Sequence, residues 1–497
     1  MVVSQSRDAA LAGVAVLDAG GNAVDAAVAT ALALAAVEPW NSGLGGIGFA
    51  LVHRAGEKRA EVVDFGPRAP GKLDPTRFRL TGKTAADLFG WPEVEGDANV
   101  HGPLSFVIPS APAGYALMLE RWGKLPFADI VAPARALAQR GLPQDWFTTL
   151  KISNQAAILR RYPESARIYL PNGLPPVPPY QGNPGTFRLG RLPETLDRLA
   201  QAGLRDLYEG DIARSIAADV AAMDGFLDAD DLRDCEARVT APQEVAFAGR
   251  TLQLAGGLTA SPTMARVIEQ LPTFAGGAPD AAWFRLLGAA MKRAYAERLE
   301  GLGDAEPKAA ESCTTHLTTC DADGTMVSMT TTLLSSMGSR TVLPGSGILM
   351  NNGVMWFDPR PGQPNSLAAG KRPLTNMLPA ILRDGDRPVL AGGASGGRRI
   401  LAAVTQMFAF VAGFGMDPAT AAHHPRIDVS DPLSVDADQR LPEDVLAALE
   451  ADGPVDRVEH GVLPVNFACP NLILIQDGVR TGISDVMSPW SAAVAQG

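Results

Sequence analysis

The 497 residues include only four cysteines and six histidines. Cys235, Cys313, Cys320 and Cys469 form no C-x-x-C pair, so neither a disulfide framework nor a zinc site is expected, and no other metal or cofactor is called for. Positive charge is also scarce: 43 Lys and Arg against 54 Asp and Glu give a formal net charge of −11. No basic cluster offsets this, so nucleic acid is not expected as a partner. Long apolar runs are missing too. The best candidate, Ala23–Val37, carries Asp25 and is too short to span a bilayer, so no membrane partner is expected. No repeat of roughly 20–50 residues is visible, which argues against a solenoid or propeller.

What is present is a globular composition, 46% hydrophobic and 20% charged. The length suits several average domains or one large unit with a single core. Residues 1–17 resemble a signal peptide only faintly, because Asp8 follows Arg7 and the apolar run is short. They read better as an amphipathic helix ended by Gly20-Gly21. A cytoplasmic location is expected, or a periplasmic one if a leader was removed. Asn22 is placed to cap a second, Ala-rich helix that is buried all round. Strands are expected at 49–53 and 60–65. Residues 112–300 read as mostly helical, at 112–122, 128–140, 193–222 and 279–300, with two strands near 243–255. Further strands are expected at 315–321, 325–332, 378–383, 388–392 and 470–475, with a long helix over 397–414. This order fits a layered α/β sandwich better than a regular βαβ repeat.

The most informative stretch is Glu311-Ser-Cys-Thr-Thr-His316. It lies between a Gly- and Ala-rich segment with no apolar period and a hairpin pattern turning at Asp323-Gly324. Thr314 therefore stands where a linker enters a sheet. If the chain were cut before it, Thr314 would carry its own base, since an α-amino group titrates near about 7.7–8.0. That meets the requirement of a threonine nucleophile. The plain alternative is an ordinary strand threonine.

Two glycine clusters also stand out. Gly43-Leu-Gly-Gly-Ile-Gly48 leads into a strand and not a helix, which argues against dinucleotide binding. Gly392-Gly-Ala-Ser-Gly-Gly397 follows a strand and opens a helix. Backbone N–H groups at such a turn suit an oxyanion hole. The same residues spell G-x-S-x-G, which would make Ser395 the nucleophile of an α/β-hydrolase, with Asp428, Asp431 or Asp436 and then His460 completing the order. A packing turn without chemistry is the third reading.

Asn22-Ala-Val-Asp-Ala-Ala-Val-Ala29, Glu38-Pro39, Ser42-Gly-Leu-Gly-Gly46, Thr314-Thr-His316, Gly347-Ile-Leu-Met-Asn-Asn352, Lys371-Arg-Pro-Leu374 and Gly396-Gly397 occur in that order. With these motifs the chain resembles the γ-glutamyltransferase family of N-terminal-nucleophile hydrolases over nearly its whole length. The resemblance implies a four-layer αββα sandwich, made as an inactive zymogen that cuts itself between Cys313 and Thr314. Residues 1–313 and 314–497 would then form a heterodimer, as one structural unit or part of a higher oligomer. It further implies Thr314 as nucleophile, Thr332 as its hydroxyl partner, Gly396 and Gly397 as oxyanion donors, and a small amide or peptide substrate. Ser395 then becomes a loop residue.

Where the family binds the glutamyl head, this chain departs from it. Gly66 falls at the position of the substrate-carboxylate Arg, leaving Arg68 two residues on as the expected carboxylate ligand. Leu334 replaces an Asn, Gly353 and Trp356 replace the groups that hold the α-amino end, and Thr375-Asn376 replace a Ser-Ser pair. Asp358 would reach an amine only after a backbone shift. The segment 357–371 is short for a lid. A more apolar, open site is expected, suited to a glutamyl amide, to the acyl amide of another acylase, or in a degenerate homologue to no reaction.

Overall fold

The computed structural model of the chain describes residues 1–85, 91–272, 274, 277–302, 313–431 and 433–497. The linker expected just before Thr314 lies outside these residues. The hairpin after it forms as the alternation predicts: strands Cys313–Cys320 and Met326–Leu334 pair antiparallel, with His316 opposite Thr330. Gly324 takes the turn with φ of 95°, a conformation glycine adopts without penalty.

This hairpin lies at the centre of a seven-stranded sheet. In order, its strands are Ala492–Val494, Val2–Ser4, Cys313–Cys320, Met326–Leu334, Ile47–His53, Glu61–Phe65 and Arg238–Thr240. A second sheet runs Val479–Ser484, Cys469–Gln476, Arg387–Ser395, Ala380–Asp384, Arg250–Leu254 and Gln243–Phe247. Neighbouring strands in both are antiparallel, so the fold is α/β without a βαβ repeat.

The two sheets meet through Val3, Leu51, Val62, Cys320 and Met326 on one side and Ile381, Ala391 and Ile473 on the other. Polar bonds also cross the gap. Thr318 Oγ1 donates to Asn471 Oδ1 at 2.8 Å, and Ser328 Oγ to the Gly392 carbonyl at 2.9 Å. Because strand side chains alternate, Leu317, Val327 and Met329 point the other way and share a core with helix Ala23–Val37. That helix is buried along its whole length and begins with the expected cap: the Asn22 side chain accepts from Val24 and Asp25 N–H, and Asp25 answers to Asn22 N–H. Leu252, Leu382 and Leu390 of the second sheet pack with helices Ser261–Gln270 and Ile400–Phe408.

Some expectations need correction. The helix read over 193–222 is three, Leu192–Ala202, Asp206–Glu209 and Asp211–Ala222. Gly203, with φ of 80°, ends the first of them. The helix over 397–414 is a 3₁₀ turn at Gly397–Arg399, an α-helix at Ile400–Phe408 and a π turn at Ala409–Gly413. The first residues form the strand Val2–Ser4 before helix Arg7–Asp18 begins. Among the described residues no helix is long and apolar enough to cross a membrane, and no His, Cys, Asp and Glu cluster could hold a metal.

Candidate active site

Strand Cys313–Cys320 presents two faces. Thr315 and Thr319 face the outer helix: Thr315 Oγ1 donates to Glu38 Oε2 at 2.8 Å, and Thr319 Oγ1 to the Ala23 carbonyl at 2.7 Å. Thr314, His316 and Thr318 face the second sheet. Thr314 is 4% exposed, and its Oγ1 donates to Thr332 Oγ1 at 3.2 Å. Thr332 Oγ1 also accepts the Leu334 N–H at 2.8 Å. That bond comes with Leu334 at φ of 88°, a conformation that strains a branched residue. The strand end is thus bent to present a second donor to the hydroxyl beside Thr314.

His316 is fully buried. Its Nδ1 lies 2.8 Å from Thr330 Oγ1 and its Nε2 3.3 Å from Thr318 Oγ1. Gly393 of the second sheet lies against the ring, so close that a Cβ there would sit 2.4 Å from Cε1. Burial pushes the imidazole down to about 3, so it stays neutral at working pH. The unfolded chain binds a proton near 6.5 that the folded chain refuses. Stability from this group is therefore complete above pH 6.5 and drains away as pH falls toward 3, by about 4–5 kcal/mol in full. Glu38 acts in the opposite sense. Burial pushes it up to about 7, so it disfavours folding as pH rises from 4.5 to 7. Between 4.5 and 6.5 the two effects oppose each other, and below 4.5 that of His316 stands alone. Urea midpoints of the wild type and His316→Gln measured from pH 8 to pH 3.5 should converge toward acid; parallel curves would refute a neutral buried imidazole.

Gly396 and Gly397, at the end of strand Arg387–Ser395, have φ of 134° and 61°. A Cβ on Gly396 would meet the Ala468 Cβ at 2.7 Å. Among the described residues neither N–H has a hydrogen-bond acceptor. Two backbone donors are thus left available at the turn that opens helix Ile400–Phe408.

The serine-hydrolase order does not assemble. Ser395 Oγ accepts from Gln5 Nε2 at 2.5 Å. His460 lies between Arg426 and Arg440, at 3.3 and 3.4 Å, with its Nε2 3.5 Å from Asp485. Asp428 is bound to the Ser430 hydroxyl and amide, Asp431 accepts the Leu433 N–H, and Asp436 lies in strand Val435–Asp438. None of the three meets His460 in a hydrogen bond among the described residues. The sequence spacing was satisfied, but the fold sends Ser395 and His460 to different partners.

The expected substrate residues divide. Trp356 is 3% exposed inside an apolar cluster with Phe49, Val107, Leu334 and Met377. Its place is in the packed core. Gly353 has no room for a side chain, since a Cβ would lie 2.4 Å from Val107. Asp358, the candidate rescuer of an amine, is buried and grips Arg360 through both oxygens at 2.7–3.1 Å. Thr375 Oγ1 donates to the Leu258 carbonyl. Asn376 is 8% exposed and its Nδ2 is a buried donor without a partner, which leaves it the freer of the pair. Arg68 is exposed.

Two groups were missed. In the first sheet Thr332 lies opposite Ile47, and Gly48 opposite Phe65. Gly66 therefore continues the row of Thr314 three strands away, about 14 Å at strand spacing. Arg372 covers it, with Nη2 only 2.6 Å from where a Gly66 Cβ would sit. Asp64 holds Arg372 with two bonds, at 2.8 and 2.5 Å, and Arg238 pairs with the same carboxylate. Two guanidinium groups on one carboxylate leave the cluster with net positive charge. The other group is the turn at 38–41, which binds both strands of the hairpin. Glu38-Pro39 and Lys371-Arg-Pro-Leu374 were visible as motifs; their roles were not.

Comparison with known proteins places the chain in a family. The model of the family described as gamma-glutamyltranspeptidase matches residues 9–313 and 305–461. The chain is 28% identical to the glutathione hydrolase proenzyme of Bacillus subtilis (strain 168), over 98% of this chain and 89% of that one. It is 30% identical to the acylase ACY 1 proenzyme of Pseudomonas sp. (strain V22), over 91% and 86%. The crystal structure of cephalosporin acylase from Bacillus halodurans shares the fold with a TM-score of 0.84 at 23% identity, over 99% of this chain and 94% of that one. The chain is an enzyme of the gamma-glutamyltranspeptidase family.

Proposed function

We propose that the protein is a self-processing threonine amidohydrolase with the four-layer αββα arrangement of N-terminal-nucleophile hydrolases. The chain cuts between Cys313 and Thr314, and the new α-amino group takes the proton as Thr314 Oγ attacks an amide carbonyl. The oxyanion is held by the Gly396 and Gly397 N–H groups. The C–N bond then breaks, the amine leaves with the proton, and the acyl-threonine ester passes to water or to an acceptor amine. The observation that carries this reading is the buried Thr314–Thr332 hydroxyl pair, 3.2 Å apart at the start of a central strand. Mass spectrometry after mixing with an amide substrate should find the acyl group on the chain that begins at Thr314; an adduct elsewhere, or none with a substrate that turns over, would refute it.

The acyl group is read from the positions where the family resemblance places the groups that hold the glutamyl head. Trp356 is apolar and packed, Leu334 is apolar, Gly353 is closed by Val107, and Asp358 is committed to Arg360. No carboxylate is left over at these positions for a substrate ammonium. Arg372, held over Gly66 by Asp64, supplies positive charge for an acyl carboxylate. We therefore assign an acylase preference, for dicarboxylic acyl amides without an α-amino group, over the glutathione-type preference named for the Bacillus relative. Binding an ammonium without a paired acid should lose on the order of 2–5 kcal/mol, roughly 30-fold to several thousand-fold. kcat/KM on matched glutaryl and γ-glutamyl anilides reads this directly, and a preference for the γ-glutamyl compound would reverse the assignment.

A further inference from the structure

The turn that follows helix Ala23–Val37 meets both strands of the central hairpin. The Asn41 carbonyl accepts the Leu333 N–H at 2.9 Å, and the Trp40 carbonyl accepts the Met337 N–H at 2.9 Å. Leu333 is the neighbour of Thr332. On the other strand, the Glu38 carboxylate accepts the Thr315 hydroxyl at 2.8 Å. Thr315 is the neighbour of Thr314. One short segment therefore grips the residue next to each hydroxyl of the 3.2 Å pair, from the face of the sheet opposite the reaction.

We infer that Glu38 is a positioning residue for the nucleophile, its carboxylate fixing Thr315 and through it the backbone that carries Thr314. This rests on the reading of Thr314 as nucleophile. The need for such a tether arises from the cut itself. Before cleavage, residue 314 is held from both sides of the chain. Afterwards it is a chain end, where strands fray, and the ladder pair nearest to it is Thr315 opposite Thr331. A side-chain bond at 315 restores a second anchor one residue from the end.

The surroundings suit that role. Glu38 is 5% exposed, and the groups that act on its charge are the Thr315 hydroxyl, Asn41 and Lys151. A carboxyl kept in so dry a place at the expense of its charge is not explained by folding, which an apolar residue would serve better. Glu38 itself lines a cleft of about 230 Å³, with Gln5, Arg7, Trp40, Asp145 and Trp490 among others. Truncating Glu38 enlarges a space already present, so the variant has a structural route to folding.

The test uses the full-length protein and four variants: Glu38→Ala, Glu38→Gln, Thr315→Val and the double variant Glu38→Ala/Thr315→Val. A misplacement of about 1 Å can cost about 10²-fold in rate. Glu38→Ala and Thr315→Val should each lower kcat by about 10- to 100-fold with KM within about twofold. The double variant should be no slower than either single one, because both remove the same bond. Glu38→Gln keeps an acceptor for the Thr315 hydroxyl and should recover most of kcat. Losses that multiply in the double variant, or an unchanged kcat in Thr315→Val, would overturn the inference, and Thr315→Val decides it even if Glu38→Ala does not fold. Thr314→Ala, run alongside, separates the two readings: if it stays active the nucleophile is wrong, and if it is dead while Thr315→Val runs at full speed only the tether is.

Discussion

Thr314→Ala should remain a single chain of 497 residues, while the wild type resolves on a denaturing gel into two, the smaller beginning Thr314-Thr315-His316. The same change should abolish amide turnover, by about 10⁴- to 10⁶-fold if this nucleophile behaves as others do. Thr314 Oγ1 has Thr332 Oγ1 as its partner, and Thr332 already accepts from the Leu334 N–H. The nearby imidazole of His316 is held neutral by burial and bonded to strand hydroxyls. No general base among the described residues is bonded to the Thr314 hydroxyl, and in the proposed mechanism cutting the Cys313–Thr314 bond would create one on the nucleophile itself. An active protein that shows only one intact chain would end this account.

The second large effect is expected at Gly396. Alanine there would require a side chain at φ of 134° with its Cβ 2.7 Å from that of Ala468. The turn would have to tilt, carrying two backbone donors with it. Loss of one such donor removes about 10²–10³ in rate, so Gly396→Ala should fall at least that far. Because Ser395 lies one residue before the turn, Ser395→Ala is the informative companion. It deletes the acceptor of Gln5 but no donor of the turn, and its kcat should stay within about tenfold of wild type. A serine nucleophile would instead lose about 10⁴-fold or more, and that result would restore the α/β-hydrolase reading.

The parts of this protein that sequence makes legible are those whose causes are local. Thr and apolar residues alternating on either side of Asp323-Gly324 fix the hairpin, and Asn22 with Asp25 fixes a helix start, because neighbours in the chain supply both. The long helical period over 193–222 misled for the same reason. The period continues, but Gly203 lets the chain turn, and the three pieces then pack separately. What stayed hidden is compensation over distance. Gly66 reads as a lost cation, yet Arg372, far along the chain, lies over it. Trp356 reads as pocket wall by position, yet its neighbours bury it in the core. Asp428 and His460 stand in a plausible order after Ser395, and order says nothing about which side chains meet.

The central sheet has a consequence for the mature enzyme. Strand Cys313–Cys320 sits between Val2–Ser4 and Met326–Leu334, and the C-terminal strand Ala492–Val494 closes onto Val2–Ser4. Segments from both sides of the proposed cut are thus threaded through one another. Once the bond is broken, the halves no longer share a chain to guide their registration, and each alone exposes unpaired strand edges that favour aggregation. With the proposed cut, folding would happen once, in the precursor. The working lifetime of the cleaved enzyme would then be set by how slowly it unfolds and not by any balance between folded and unfolded forms.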